Sequence, residues 1–223
     1  MTEANDAAPP IEPLTRANLR TPRAAAIAGI LFSLLLITSL WLLRLSVPRD
    51  PLQISAWMER DAARVTFALN LVPFAGIAFM WFLGVLRDRL GAKEDKFFAT
   101  VFLGSGLLFL GMLFVAASAI SSLVLSYTAA PDAALATFAV TFARQFAYDI
   151  MHIYAFKMAA VFMITTSTVA LRTRFAARWI AILGYASAAI ILIGSGFLDW
   201  LLFAFPCWVL VVSIYILSEN LRK

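Results

Sequence analysis

Arg144, Tyr148, Asp149 and His152 offer a guanidinium, a phenol, a carboxylate and an imidazole within nine residues of one apolar segment. Asp149 and His152 are three apart, a helical neighbour spacing that lets them share a proton or a hydrogen bond. Arg144 with Tyr148 would hold an anionic headgroup or solute. With Thr137 as origin and about 100° per residue, Thr141, Arg144, Gln145, Tyr148 and His152 fall within an arc of about 100°, with Asp149 just beyond it. Leu135, Phe142 and Phe146 take the other side. Such a ribbon needs water, a polar partner helix or a headgroup surface, because unmatched polar groups in hydrocarbon cost several kcal/mol. Its functional reading is an outer vestibule for an ion or polar solute. The plainer reading weighs more: an extramembrane helix packed on the outer loop, with His152 as an interfacial hydrogen-bonding residue.

Lys157 interrupts the apolar run 153–161 and falls nearly opposite the ribbon, about 12 Å further along the helix. Asn70 enters its own segment from the same side to a similar depth, so Asn70 and Lys157 form a second candidate, an intramembrane polar site. Pro73 and Pro206 would free the carbonyls of Leu69 and Leu202 in the same half, and freed carbonyls coordinate cations or receive a lysine. Structural kinks with a satisfied lysine are the plainer account.

The elements that must position these groups are membrane helices. Apolar residues make up 62% of the 223 and charged residues only 14%, far from soluble composition, and mean hydropathy is +0.87. Six segments approach the roughly 20 apolar residues that a bilayer of about 30 Å demands. They lie near 24–43, 65–86, 97–125, 133–171, 178–193 and 197–217. The expected fold is therefore all-α, a polytopic six-transmembrane-helix bundle over 24–223 behind a flexible tail at 1–23. Pro131-Asp132 reads as turn and N-cap, and no Pro or Gly follows until Gly184, so a helix over 133–171 would be about 57 Å long. Its first turns are expected outside the bilayer or at the interface.

Basic residues set the orientation. Arg16, Arg20, Arg23, Arg87, Arg89, Lys93, Lys96, Arg172, Arg174, Arg178, Arg222 and Lys223 fall on one side, 12 against the 5 of Arg44, Arg49, Arg60, Arg64 and Arg144. The positive-inside rule then places both termini in the cytoplasm, with the protein in a bacterial cytoplasmic membrane. Trp41, Trp179 and Trp200 stand at interface levels, Trp57 marks a short surface helix in the first outer loop, and Trp81 and Trp208 are expected to fill helix contacts.

The basic excess is scattered over helix ends, so no nucleic-acid partner is expected. One Cys and one His exclude an intramolecular disulfide and an all-histidine metal site, and neither metal nor cofactor is expected. Phosphate-binding, dinucleotide, zinc-protease and serine-hydrolase signatures are missing, which makes an intramembrane enzyme the weakest reading, and catalysis is not expected. The partners expected are the lipid bilayer and a second copy or a membrane complex, met through Gly104, Gly106 and Gly111 of the third segment and Gly184 and Ala188 of the fifth. A channel-like or transport role for an ion or small polar solute leads, and a non-catalytic structural or accessory subunit is its rival.

Overall fold

A computed structural model describes residues 21–46, 54–90, 96–129, 133–173, 176–195 and 198–221. Its elements are α1 (Thr21–Ser46), α2 (Ile54–Leu90), α3 (Lys96–Ala129), α4 (Ala133–Asp149), a π-helical turn (Ile150–Ala155), α5 (Phe156–Thr173), α6 (Arg178–Gly194), a 3-10 turn (Asp199–Phe203) and α7 (Ala204–Leu221). The chain is an all-α polytopic membrane protein. Among the described residues five helical stretches are long and apolar enough to cross a bilayer: Arg23–Arg44, Arg60–Arg87, Phe97–Leu125, Thr141–Thr173 and Asp199–Glu219. A sixth, Arg178–Gly194, is apolar and shorter, 17 residues or about 26 Å.

Neighbouring helices alternate in direction. Phe32 meets Phe79, Gly106 meets Leu83, Phe102 meets Phe162, Thr168 meets Tyr185, and Trp208 meets the carbonyl of Ile180. α1 and α7 close the bundle antiparallel, Trp41 lying beside Trp200 and Gly29 beside Ser213, so the start of α1 and the end of α7 share one face. Large apolar side chains such as Ile27, Leu34, Phe67, Ile77, Trp81 and Ile193 point outward, as a hydrocarbon solvent permits. Hydroxyls inside the helices turn back on their own carbonyls, Ser33 donating to Gly29, Ser105 to Val101 and Thr165 to Val161, which removes most of the cost of burying them.

Several elements depart from the sequence expectation. α2 begins at Ile54, so the Trp57 stretch is the first part of a long helix and not a separate surface helix. α1 starts at Thr21, inside the expected tail; the rest of that tail and the Pro131-Asp132 cap lie outside the described residues. Trp208 is buried and donates to the Ile180 carbonyl at 3.4 Å, whereas Trp81 is exposed and fills no helix contact. Pro206 stands in the first turn of α7, just after the 3-10 turn, where a missing N–H costs least. Gly184 lies inside the protein against Ser167 and Trp208, while Gly104 and Gly111 of α3 face open space.

The centre is closed by aromatic rings. Phe32, Phe79, Phe109, Phe156, Phe162 and Phe205 are all 0% exposed. Phe79 is the hub, with ring centroids 4.7 Å from Phe32, 5.7 Å from Phe109, 5.5 Å from Phe162 and 5.9 Å from Phe205. Tilted and edge-on pairs of this kind add to the burial itself.

A one-ended cavity with a cationic rim

Between α1, α2, α3, α4, the π turn and the 3-10 turn lies a cavity of about 330 Å³. That is the lower end of ligand-sized pockets. Leu36, Leu40, Leu69, Val72, Leu113 and Ala116 make its apolar walls, and Arg44, Arg144, Tyr148, His152 and Asp199 gather at its polar end, with Ser39 also on the wall. On each helix the phenylalanine core lies one or two turns further from the polar end: Phe32 below Leu36, Phe79 beyond Val72, Phe109 below Leu113, Phe156 beyond His152. None of these rings lines the cavity, which stops short of the aromatic core.

His152 is set by the π turn. The change from i→i−4 to i→i−5 bonding, seen where Phe156 N–H donates to the Met151 carbonyl, displaces amides from the carbonyls at the entrance of the turn. His152 Nδ1 lies 3.1 Å from the carbonyl oxygen of Tyr148, one residue before the end of α4. A carbonyl only accepts, so Nδ1 carries the hydrogen, and Nε2 is a lone pair in neutral imidazole and an N–H in imidazolium. The ring stacks on Tyr148, centroids 3.8 Å apart and planes at 18°. Nε2 is buried without a hydrogen-bond partner; Asp199 Oδ1 stands 3.7 Å away, beyond bonding distance.

Asp199 opens the 3-10 turn and draws α1 to α7, Arg44 Nη1 lying 4.0 Å from Asp199 Oδ2. The Arg44 guanidinium also sits 3.9 Å over the Trp200 ring, which itself packs on Trp41 and Phe203. A guanidinium over an indole holds its position without surrendering its charge. On α2, Asp61 is buried between Arg60 at 3.1 Å and Arg64 at 2.9 Å, and Ser39 donates to the Ala68 carbonyl at 2.8 Å. The Ser39 bond ties α1 to α2, and the Asp61 pairs stay within α2.

The ribbon of polar residues divides in two. Arg144, Tyr148 and His152 line the cavity, four residues apart in sequence, whereas Thr141 and Gln145 are exposed and Asp149 accepts from Gln145 Nε2 at 2.8 Å. The carboxylate beside His152 on the cavity wall is thus Asp199 and not Asp149. Phe138, Phe142 and Phe146 form an outward stacked ladder, centroids 6.4 and 6.0 Å apart. Asn70 is exposed and Lys157 half-buried, and among the described residues no hydrogen bond joins them. Sequence reasoning missed Arg44 and Asp199 as site residues. The available signal was one charge of each sign beside a tryptophan, at the matching ends of the first and last segments.

Among the described residues no group of three or more His, Cys, Asp or Glu is placed to hold a metal ion. Comparison with protein-family models, with curated proteins and with solved structures returns no match.

Proposed function

We propose that the chain is a six-crossing membrane protein that binds a small solute in the one-ended cavity and passes it by opening the other end, a carrier and not an open channel. The observation that carries this reading is the cavity itself, polar at Arg44, Arg144, His152 and Asp199, with a layer of 0%-exposed phenylalanines between it and the other end of the bundle. A pore through a single copy would need water along its length, and the Phe79 cluster fills the middle of the bundle. The 12 to 5 distribution of basic residues supports cytoplasmic termini, which puts the polar end of the cavity on the outer side. A bacterial cytoplasmic membrane is the setting this orientation implies.

The test is reconstitution into liposomes and planar bilayers. Potassium, sodium, proton and chloride gradients are expected to produce no steady conductance, and uptake of a permeant solute is expected to saturate with its concentration. A steady ohmic ion current would contradict the carrier reading.

An accessory-subunit role is the second reading, favoured by the outward face of α3 at Gly104 and Gly111 and by the Phe138, Phe142 and Phe146 ladder. Mass measurement in lipid discs separates the two: a monomer that co-purifies with a different protein favours the subunit, and a monomer or homo-oligomer alone favours the carrier.

A further inference from the structure

Building on the reading of the cavity as a solute site, we propose that its ligand is a single-chain amphiphile with an anionic head, bound together with one proton carried by His152. Among the described residues the polar end is lined by two guanidiniums, Arg44 and Arg144, and one carboxylate, Asp199, an excess of positive charge before the imidazole is counted. From α2 and α3 the wall receives only apolar side chains, among them Leu69, Val72 and Leu113. Asp149, the other acid on α4, is engaged by Gln145 and does not reach the wall. A head that is anionic meets positive charge there, and its chain lies along Leu36, Leu40 and Val72. The volume of about 330 Å³ suits one short chain and not a two-chain lipid tail.

The proton follows from the fixed tautomer. With its hydrogen on Nδ1 committed to the Tyr148 carbonyl, neutral His152 turns a lone pair toward the polar end, and a lone pair repels the oxygens of an anion. Protonated, the same Nε2 becomes a buried N–H donor, with Asp199 Oδ1 at 3.7 Å standing beyond hydrogen-bond length. An anionic oxygen supplies the acceptor, so the anion binds the imidazolium form better and draws a proton from solution. The sign is definite: affinity is greatest below the imidazole range, ordinarily centred near about 6.5, and falls as pH rises through it. Asp199 of the 3-10 turn and Asp149 at the end of α4 are the charges that act on the ring, Tyr148 stacks on it, and Arg44 and Arg144 share the cavity wall; none of them changes this sign.

The experiment uses the full chain in phosphatidylcholine nanodiscs, titrated calorimetrically with decanesulfonate, whose head stays ionised throughout. Runs in two buffers of different ionisation heat count the protons taken up. We expect affinity to fall by up to about tenfold per pH unit above the imidazole midpoint, with as much as one proton taken up per ligand. Decanol should bind more weakly and without pH dependence. His152→Asn keeps an N–H for the Tyr148 carbonyl and removes the titrating nitrogen, so its decanesulfonate affinity should be flat with pH and proton uptake lost. Its decanol binding reports that the cavity remains intact. Should that variant not fold, the proton count on the parent chain still decides. Adding a single-chain anionic lipid, lysophosphatidylglycerol, to the discs tells the source: weaker binding of both decanesulfonate and uncharged decanol supports a membrane lipid as occupant, and unchanged decanol binding supports a free solute. Decanol bound as tightly as decanesulfonate, or a pH-independent parent, overturns the anion and proton inference and leaves the solute-site reading standing. Binding of neither probe overturns both.

Discussion

Asp199 and Arg44 face each other at 4.0 Å with 37% and 27% of their side chains exposed, so their ion pair contributes little to stability, about 0–1 kcal/mol. Its weight falls on ligand charge. Asp199→Asn should leave thermal stability within about 1 kcal/mol of the parent while raising affinity for an anionic amphiphile, both read by thermal denaturation and calorimetry on one preparation. A large loss of stability without change in affinity would make the pair structural. The sequence disclosed Arg144, Tyr148 and His152 as one row, because spacing along a helix is a local property. It did not disclose Asp199 as their acidic neighbour, since that depends on the first and last helices closing on one another some 150 residues apart in the chain. Asp149 misled for a related reason: a spacing of three permits a contact with His152, but Gln145, four residues earlier, captures the carboxylate.

The π turn at Ile150–Ala155 carries no Pro or Gly, and uninterrupted apolar sequence reads as uninterrupted α-helix. A helical wheel built on 3.6 residues per turn therefore runs true through Tyr148 and slips beyond it. Helix contacts separate the glycines in the same way. A Cβ at Gly29 would collide with Ser213 Oγ and stand 2.8 Å from the Phe82 ring, and one at Gly184 would collide with Ser167 Oγ. Gly29→Ala and Gly184→Ala should each cost about 1–3 kcal/mol, whereas Gly104→Ala and Gly111→Ala, with nothing within 4 Å, should stay within about 0.5 kcal/mol in a monomer. Thermal unfolding in detergent measures all four. A strong effect at Gly111 confined to lipid discs would instead reveal a partner on α3.

Composition alone gives the membrane class and the all-α fold, because 62% apolar residues in helix-length runs leave no other solvent for the chain. The aromatic core and the cavity above it were beyond sequence reach, since nothing in a list of 19 phenylalanines tells which six meet. Orientation is open to direct test: in a Cys207→Ser background, cysteine introduced at position 92 should be shielded from an impermeant thiol reagent in intact cells, and cysteine at 130 should react. The measurement closest to the central claim applies the same reagent to the cavity row. Tyr148→Cys and His152→Cys should be labelled from outside, and labelling should slow when decanesulfonate is present. Phe142→Cys and Phe146→Cys on the outward ladder, and Phe79→Cys in the aromatic core, should resist. Uniform resistance at 148 and 152, or labelling of 79 as fast as of 152, would contradict a solvent-reached cavity that stops short of the phenylalanine core.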